Sequence, residues 1–524
     1  MEKVDLLVIG CGIAGATAAL IAGEAGLNVL IVTRNSNPAH STATRWAQGG
    51  IIYKGEGDSP ELLTSDIFSA GHSFGNLDAI WHLAVNGPKL VEQILIERLG
   101  VPFDTTGNLS DTLDTTEEGA HSVRRIIHCA DATGGSIEQQ LIAQLMKVPN
   151  VRFMTRSVAV ELMTLERNSA NIQDIYKPQT CIGAYFLHRD TGDVTSILAQ
   201  KTILATGGLG QLYLHTTNPH AARGDGIAMA HRIGARTLNL EYIQFHPTAF
   251  YDSHGERFLI SESVRGEGGE LVTREGKPFM QNYHKLGSLA PRDVVARAIH
   301  QEMLNRKEPC VFLDISNKDP EFLRHRFPTI YRKCKNLGVD MTTGPIPVVP
   351  AAHYLCGGIA VDLEGRTNIK NLRAVGEVSC TGIHGANRLA STSLLEGLTW
   401  GYFAAKSIIK EFDEQAARNE AVTFPEIKPL AVEYEQTDTA LVQQDWMTIK
   451  YTMWNYVGLI RSSKRLKRAQ SLLQTLFAET STFYERAKLT DDIIGLRNGC
   501  QTALLVMEAA MKNKQSCGCH FREN

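Results

Sequence analysis

The first apolar run, Val4 to Gly10, is short and unbroken, as in a parallel strand buried on both faces, and it ends in glycine. Gly10-Cys11-Gly12-Ile13-Ala14-Gly15 follows, then an alanine-rich stretch of helical character to Gly26, then a second strand pattern from Asn28 to Thr33. A strand, a glycine turn, a helix and a strand in this order have the length of a dinucleotide-binding βαβ unit. Similar signals return much later. Lys201 to Ala205 runs into Thr206-Gly207-Gly208, and Leu372 to Val375 runs into Gly376-Glu377. Nucleotide-binding pieces therefore flank a central segment, which suggests an insertion closing over a cofactor domain. Past about Glu420 glycine thins out, and Leu466, Ala469, Leu473 and Leu476 recur at helical steps.

A chain of 524 residues is too long for one compact core, so two or three domains are expected. With 43% hydrophobic and 21% charged residues the composition is that of an ordinary globular protein. A net charge of -3 gives no electrostatic argument for nucleic acid or a membrane surface. No apolar stretch approaches the ~20 residues of a membrane span, and the N-terminus runs straight into a strand without a leader pattern. The ten cysteines lie singly apart from Cys517 and Cys519, so a reducing cytoplasm is the expected location.

A GxGxxG motif alone is weak evidence, but here it has a strand before it and a helix after it. Its first glycine permits the tight turn, its second lets backbone approach a pyrophosphate, and its third packs helix on strand. The acid expected at the end of the second strand, to bind ribose hydroxyls, is missing; Thr33-Arg34 stands there. That counts against an ordinary NAD site.

Ser41-Thr42-Ala43-Thr44-Arg45-Trp46-Ala47-Gln48-Gly49-Gly50-Ile51 accounts for the departure. Here the chain resembles the succinate dehydrogenase, fumarate reductase and L-aspartate oxidase flavoprotein family, in which such a segment lies along FAD. The resemblance implies an α/β fold: a Rossmann-like FAD-binding domain (1–234 and 344–412), an inserted α+β capping domain (235–343) and a C-terminal helical domain (420–524). It also implies that Gly10, Cys11, Gly12, Ile13, Ala14, Gly15, Thr33, Arg34, Thr42, Ala43, Thr44, Gln48, Gly49 and Gly50 hold FAD. Ala205, Thr206, Gly207, Asp225, Glu377, Ser393 and Leu394 match the family's later cofactor segments. In respiratory members a histidine bonded to the flavin occupies the position of Ala43, so FAD is expected to be non-covalent here.

A dicarboxylate needs rigid cationic and hydrogen-bonding groups, and arginine binds carboxylates bidentately. The family's positions for these are filled by His246 in QFHPT, Ser261 and Arg265 in LISESVRGEGG, Arg292 in PRDVVAR, His353 in AHYLCGG and Arg388 in GANRLA. Ser261 stands where the family usually has threonine. Taken singly, each of these is more often a plain surface or core residue; the constellation carries the inference. Arg292 is the family's proton-transfer residue, although a guanidinium is a poor base.

The segment from Glu117 to Ile126 resembles that of L-aspartate oxidases, where the residue matching Glu118 recognises the substrate ammonium. The other reading is an acidic, solvated loop, since Asp111, Asp114 and Glu117 are close by. The expected reaction is therefore oxidation of L-aspartate to iminoaspartate, with oxygen or fumarate as electron acceptor and quinolinate synthase as downstream consumer in NAD biosynthesis. The alternatives are a non-covalent fumarate reductase or succinate dehydrogenase type flavoprotein, and an RNA-binding role for the basic run Arg461 to Arg468. That run has no aromatic stacking residues among its charges, so a solvated helix face is expected. Cys517, Cys519 and His520 do not form a closed tetrahedral site, so no metal is expected.

Overall fold

The computed structural model describes residues 2–40, 42–107, 112–252, 255, 257–419, 423–427 and 438–523. Ser41, Asp111 and Glu420 lie outside them. Strand β1 (Glu2–Ile9) pairs in parallel with β2 (Val29–Val32), and β2 with β3 (Val151–Met154). Strands β4 (Ser157–Thr164) and β5 (Cys181–His188) form an antiparallel pair that continues into β6 (Val194–Leu204). β6 lies parallel to β1, and its last residues take β7 (Leu372–Ala374) alongside, completing a seven-stranded sheet. Leu6, Leu7, Val8 and Ile31 are fully buried, the reason for the unbroken apolar runs. Helix α1 (Ile13–Glu24) follows the glycine turn and packs along α2 (Thr392–Ala417).

The central insertion has a core of its own, including Ile260, Val264, Leu271, Val295, Ile299, Leu313 and Ile330. Two antiparallel strands, Ile243–Phe250 and Ile346–Leu355, run from one core into the other. Ile243, Phe245, Ala352 and Leu355 pack in the core of the main sheet, whereas Phe250, Ile346 and Val348 pack in that of the insertion. The register slips between His246 and Ala249, where Pro247 has no N–H to offer the ladder.

The C-terminal part contains the helices Thr439–Tyr456, Ser463–Arg486 and Asp491–Lys512, packed on one another. Leu466, Ala469, Leu473 and Leu476 face its interior, and each large apolar side chain buried in this way contributes roughly 1.5–3 kcal/mol. Arg461, at the head of the basic run, is fully buried. It donates to Glu241 O, Val457 O and Gly458 O and contacts His520 Nδ1, so it is not part of a charged surface. The tail docks on the main domain: Cys519 N donates to Ala386 O, and Cys519 Sγ lies 3.3 Å from Asn387 Oδ1. Among the described residues no helix is long and apolar enough to cross a membrane, and no cluster of metal-ligating side chains forms.

Candidate active site

One continuous cavity runs from Arg34, at the end of β2, to Arg388. Gly10 turns with φ +110°, and a Cβ there would lie 2.1 Å from Ala205 O, so the turn admits only glycine. Ile13 N donates to Thr44 Oγ1 (3.0 Å), which ties the segment around Ala43 to the start of α1. Thr42 caps the helical turn Ala43–Trp46 and donates its hydroxyl to Glu138 at 2.5 Å. Glu377 Oε1 accepts from Leu355 N (3.0 Å), and burial pushes its carboxyl up to about 7.

The wall takes in every residue expected to hold the cofactor except Gly15. Gly15 lies in the first turn of α1, where a Cβ would sit 2.3 Å from Gly10 O; it lets the helix close on the glycine turn and is not part of the cavity wall. Arg34 does line the wall, but its guanidinium is engaged by Asp491 of the C-terminal helices (Nε to Oδ2, 2.9 Å) and donates to His220 O. Asp491 also pairs with Arg189 and Arg223, and Arg223 with Asp225. The C-terminal helices thus brace the end of the cavity where the sequence lacks the usual acid.

The other end gathers charge. His246 Nδ1 lies 3.2 Å from both Thr248 N and Thr248 O, so the backbone of Thr248 fixes the ring. Burial, then Arg292, His353 and Arg265, hold His246 well below its ordinary pKa. His353 shares a hydrogen bond with Thr217 Oγ1 (2.8 Å), and its Nε2 lies 3.4 Å from the Arg388 guanidinium. Burial, Arg388 and Arg292 hold its pKa down as well. Ser261 caps the short helix Glu262–Gly266 from the cavity wall. Arg292 pairs closely with Glu262; burial would raise the Glu262 carboxyl, but Arg292 and Arg265 bring it down to about 2. Glu118 faces the same space. It accepts from Ser391 Oγ (2.7 Å), and burial raises its pKa against the pull of Arg292.

Arg265 is the exception among the residues expected at the substrate. It is fully buried outside the wall, donates to Ser288 O (2.6 Å) and reaches Glu262 at 3.7 Å. One turn of helix sends Glu262 into the cavity and Arg265 behind it.

A family profile described as an FAD binding domain matches residues 5–394, and one described as fumarate reductase flavoprotein C-term matches residues 447–524. L-aspartate oxidase 1 of Ralstonia nicotianae is 41% identical over 99% of this chain and 94% of its own length. The chain belongs to the L-aspartate oxidase family. The L-aspartate oxidase of Pseudomonas aeruginosa is also 41% identical, over the same shares of both chains. Among solved structures, an E. coli quinol fumarate reductase superposes with a TM-score of 0.84 at 26% identity, covering 100% of this chain and 92% of its own.

FAD is the cofactor, as in the L-aspartate oxidase family, and the residues present fit it. The glycine turn opens on one side, and Gly49 leaves space on the other, where a Cβ would lie 3.0 Å from Glu118 Oε1. Ala43, in the wall, offers only a methyl group, which suits non-covalent binding. Several wall residues carried no assignment from the sequence: Glu262, Ser391, Tyr354, Thr217 and the start of β4. Glu262 stands inside a recognised loop, and an acid beside two arginine positions was the available signal. Ser391 and Ser157 had none.

Proposed function

We propose that the protein oxidises L-aspartate to iminoaspartate, the first step of NAD biosynthesis by the quinolinate route. The observation that supports this most directly is Glu118, a carboxylate that faces the cavity beside Arg292, Arg388, His246 and His353 and, unlike Glu262, is not ion-paired with an arginine among the described residues. A dicarboxylate without an amino group would meet that carboxylate with repulsion, whereas an ammonium group pairs with it. Arg388, His353, His246 and Ser261 hold the two carboxylates. Glu118 holds the ammonium and is the carboxylate placed to accept the proton the nitrogen loses. Arg292 keeps its charge because Glu262 and Glu118 outweigh the effect of burial. It therefore acts as a fixed cation that favours loss of a proton from the bound substrate, while Arg265 braces Glu262 from behind. Bound FAD supplies the hydride acceptor, which oxygen or fumarate regenerates.

The central insertion serves as the cap over this chemistry. Iminoaspartate hydrolyses readily in water, so a consumer such as quinolinate synthase follows. Ten unpaired thiols suit a reducing compartment, the cytoplasm.

The test is anaerobic: oxidised flavin absorbance is followed on adding L-aspartate, D-aspartate or succinate. Bleaching by L-aspartate alone supports the reading. Bleaching by succinate and not by aspartate moves the chain to the fumarate reductase reading, which its fold also accommodates.

A further inference from the structure

The Arg388 guanidinium is buried, and among the described residues no carboxylate lies within ion-pair distance of it. It donates to Leu389 O and lies with its carbon 4.7 Å from the centroid of the Tyr354 ring. A cation in this setting is stabilised by the face of an aromatic ring, which takes up none of its charge and leaves it free for an anion. Tyr354 is in turn fixed from behind. Its hydroxyl donates to Glu396 Oε2 (2.7 Å), which also receives His384 Nε2 (2.9 Å), and Thr381 donates to Oε1 (2.7 Å). Glu396 is 1% exposed, His384 3% and Thr381 4%. Burial works against ionisation of Glu396, but His384 and the hydrogen bonds hold its pKa below the ordinary value. Glu396 is outside the cavity wall and Tyr354 is in it.

We propose that Glu396 and Tyr354 are positioning residues for substrate binding: Glu396 anchors the phenol so that the ring carries Arg388, a cation without an ion-pair partner among the described residues, toward one substrate carboxylate. Glu118, Glu262 and Glu377 act on Arg388 only from beyond ion-pair distance, so a dicarboxylate supplies its one direct ionic partner and affinity depends on a residue that touches no ligand. The inference rests on the dicarboxylate reading above.

The test uses the FAD-loaded full-length protein, with KM and kcat for L-aspartate and the Kd of succinate from flavin absorbance perturbation. Tyr354→Phe keeps the ring and cuts its tie to Glu396. It is expected to raise KM and the succinate Kd roughly threefold to tenfold, with kcat changing less than about twofold. Tyr354→Leu removes the platform, and the same quantities rise on the order of 30-fold. Glu396→Gln follows Tyr354→Phe; if it does not fold, Tyr354→Phe decides, since it leaves Glu396, His384 and Thr381 bonded together. Unchanged KM and Kd in Tyr354→Leu overturn the proposal. A parallel fall in FAD content, kcat and affinity overturns it as well, because that marks a role in the fold alone. A wild-type protein that binds succinate but leaves L-aspartate unoxidised sinks the substrate reading, and the succinate Kd still tests the platform.

Discussion

Ser391 donates its hydroxyl to Glu118 from the left-handed region of backbone space, at φ +58°, two residues before the cofactor-wall residue Ser393. A non-glycine residue held there is strained and persists only where its surroundings impose it. The strain aims one hydroxyl at one carboxylate oxygen and leaves Glu118 Oε1 for a ligand. Ser391→Ala should therefore loosen Glu118 and weaken L-aspartate binding about threefold to tenfold, with succinate binding unaffected; equilibrium titration of flavin absorbance checks both.

Glu118→Gln removes the charge that meets the ammonium. KM for L-aspartate should rise roughly 30-fold or more, while succinate should bind as well as before or better. Equal losses for both ligands would contradict the assignment.

Burial raises the Glu118 pKa, and the carboxylate must be ionised to pair with an ammonium. Apparent affinity for L-aspartate should thus be full above that raised value and fall about tenfold per unit as pH drops below it. In Glu118→Gln this acid limb should vanish from the profile of kcat/KM.

Glu138 is buried, and that burial lifts it to about 7 even though Thr42 donates to it. A carboxyl whose folded pKa exceeds its unfolded value of about 4.3 stabilises the fold at low pH. That contribution is lost as pH rises through about 7. Between pH 5 and 8 the apo-protein should lose on the order of 2–3 kcal/mol of stability through this group. In Glu138→Gln the corresponding slope in urea unfolding should disappear.

Asp131 in the main domain accepts from Thr329 N (2.8 Å) and Ile330 N (3.1 Å). These open the helix Pro328–Asn336 of the central insertion, which has no side-chain cap of its own. Asp131→Ala should cost about 1 kcal/mol, and hydrogen exchange at Thr329 and Ile330 should speed up; Asp131→Asn should restore both. Unchanged exchange in the alanine variant would show that the cap carries no weight.

The strand and glycine signals around residues 4–33, 201–208 and 372–377 located four of the seven strands of the main sheet, because a strand buried on both faces is apolar throughout, while Val151–Met154, Ser157–Thr164 and Cys181–His188 were not read. The C-terminal helices were legible for a similar reason, since a helix with one buried stripe repeats at three and four residues. What also escaped is much that depends on a partner distant in the chain. Ser391 and Glu118 are 273 residues apart, and nothing local marks either as half of a pair. That Arg265 lies behind the wall was not legible, because a loop motif names residues without saying which way one helical turn will point each of them. Arg34 stands where an acid was expected, and its acid arrives from position 491.

The central insertion is entered and left through Ile243–Phe250 and Ile346–Leu355, strands bonded to each other. It is therefore sealed at its own base by a ladder. Its interior can grow or shrink at turns such as 273–276 without altering the spacing of His246 and His353, one on each strand of that seal. A change of length in the insertion would leave the two imidazoles in step, because the paired strands at its base hold them.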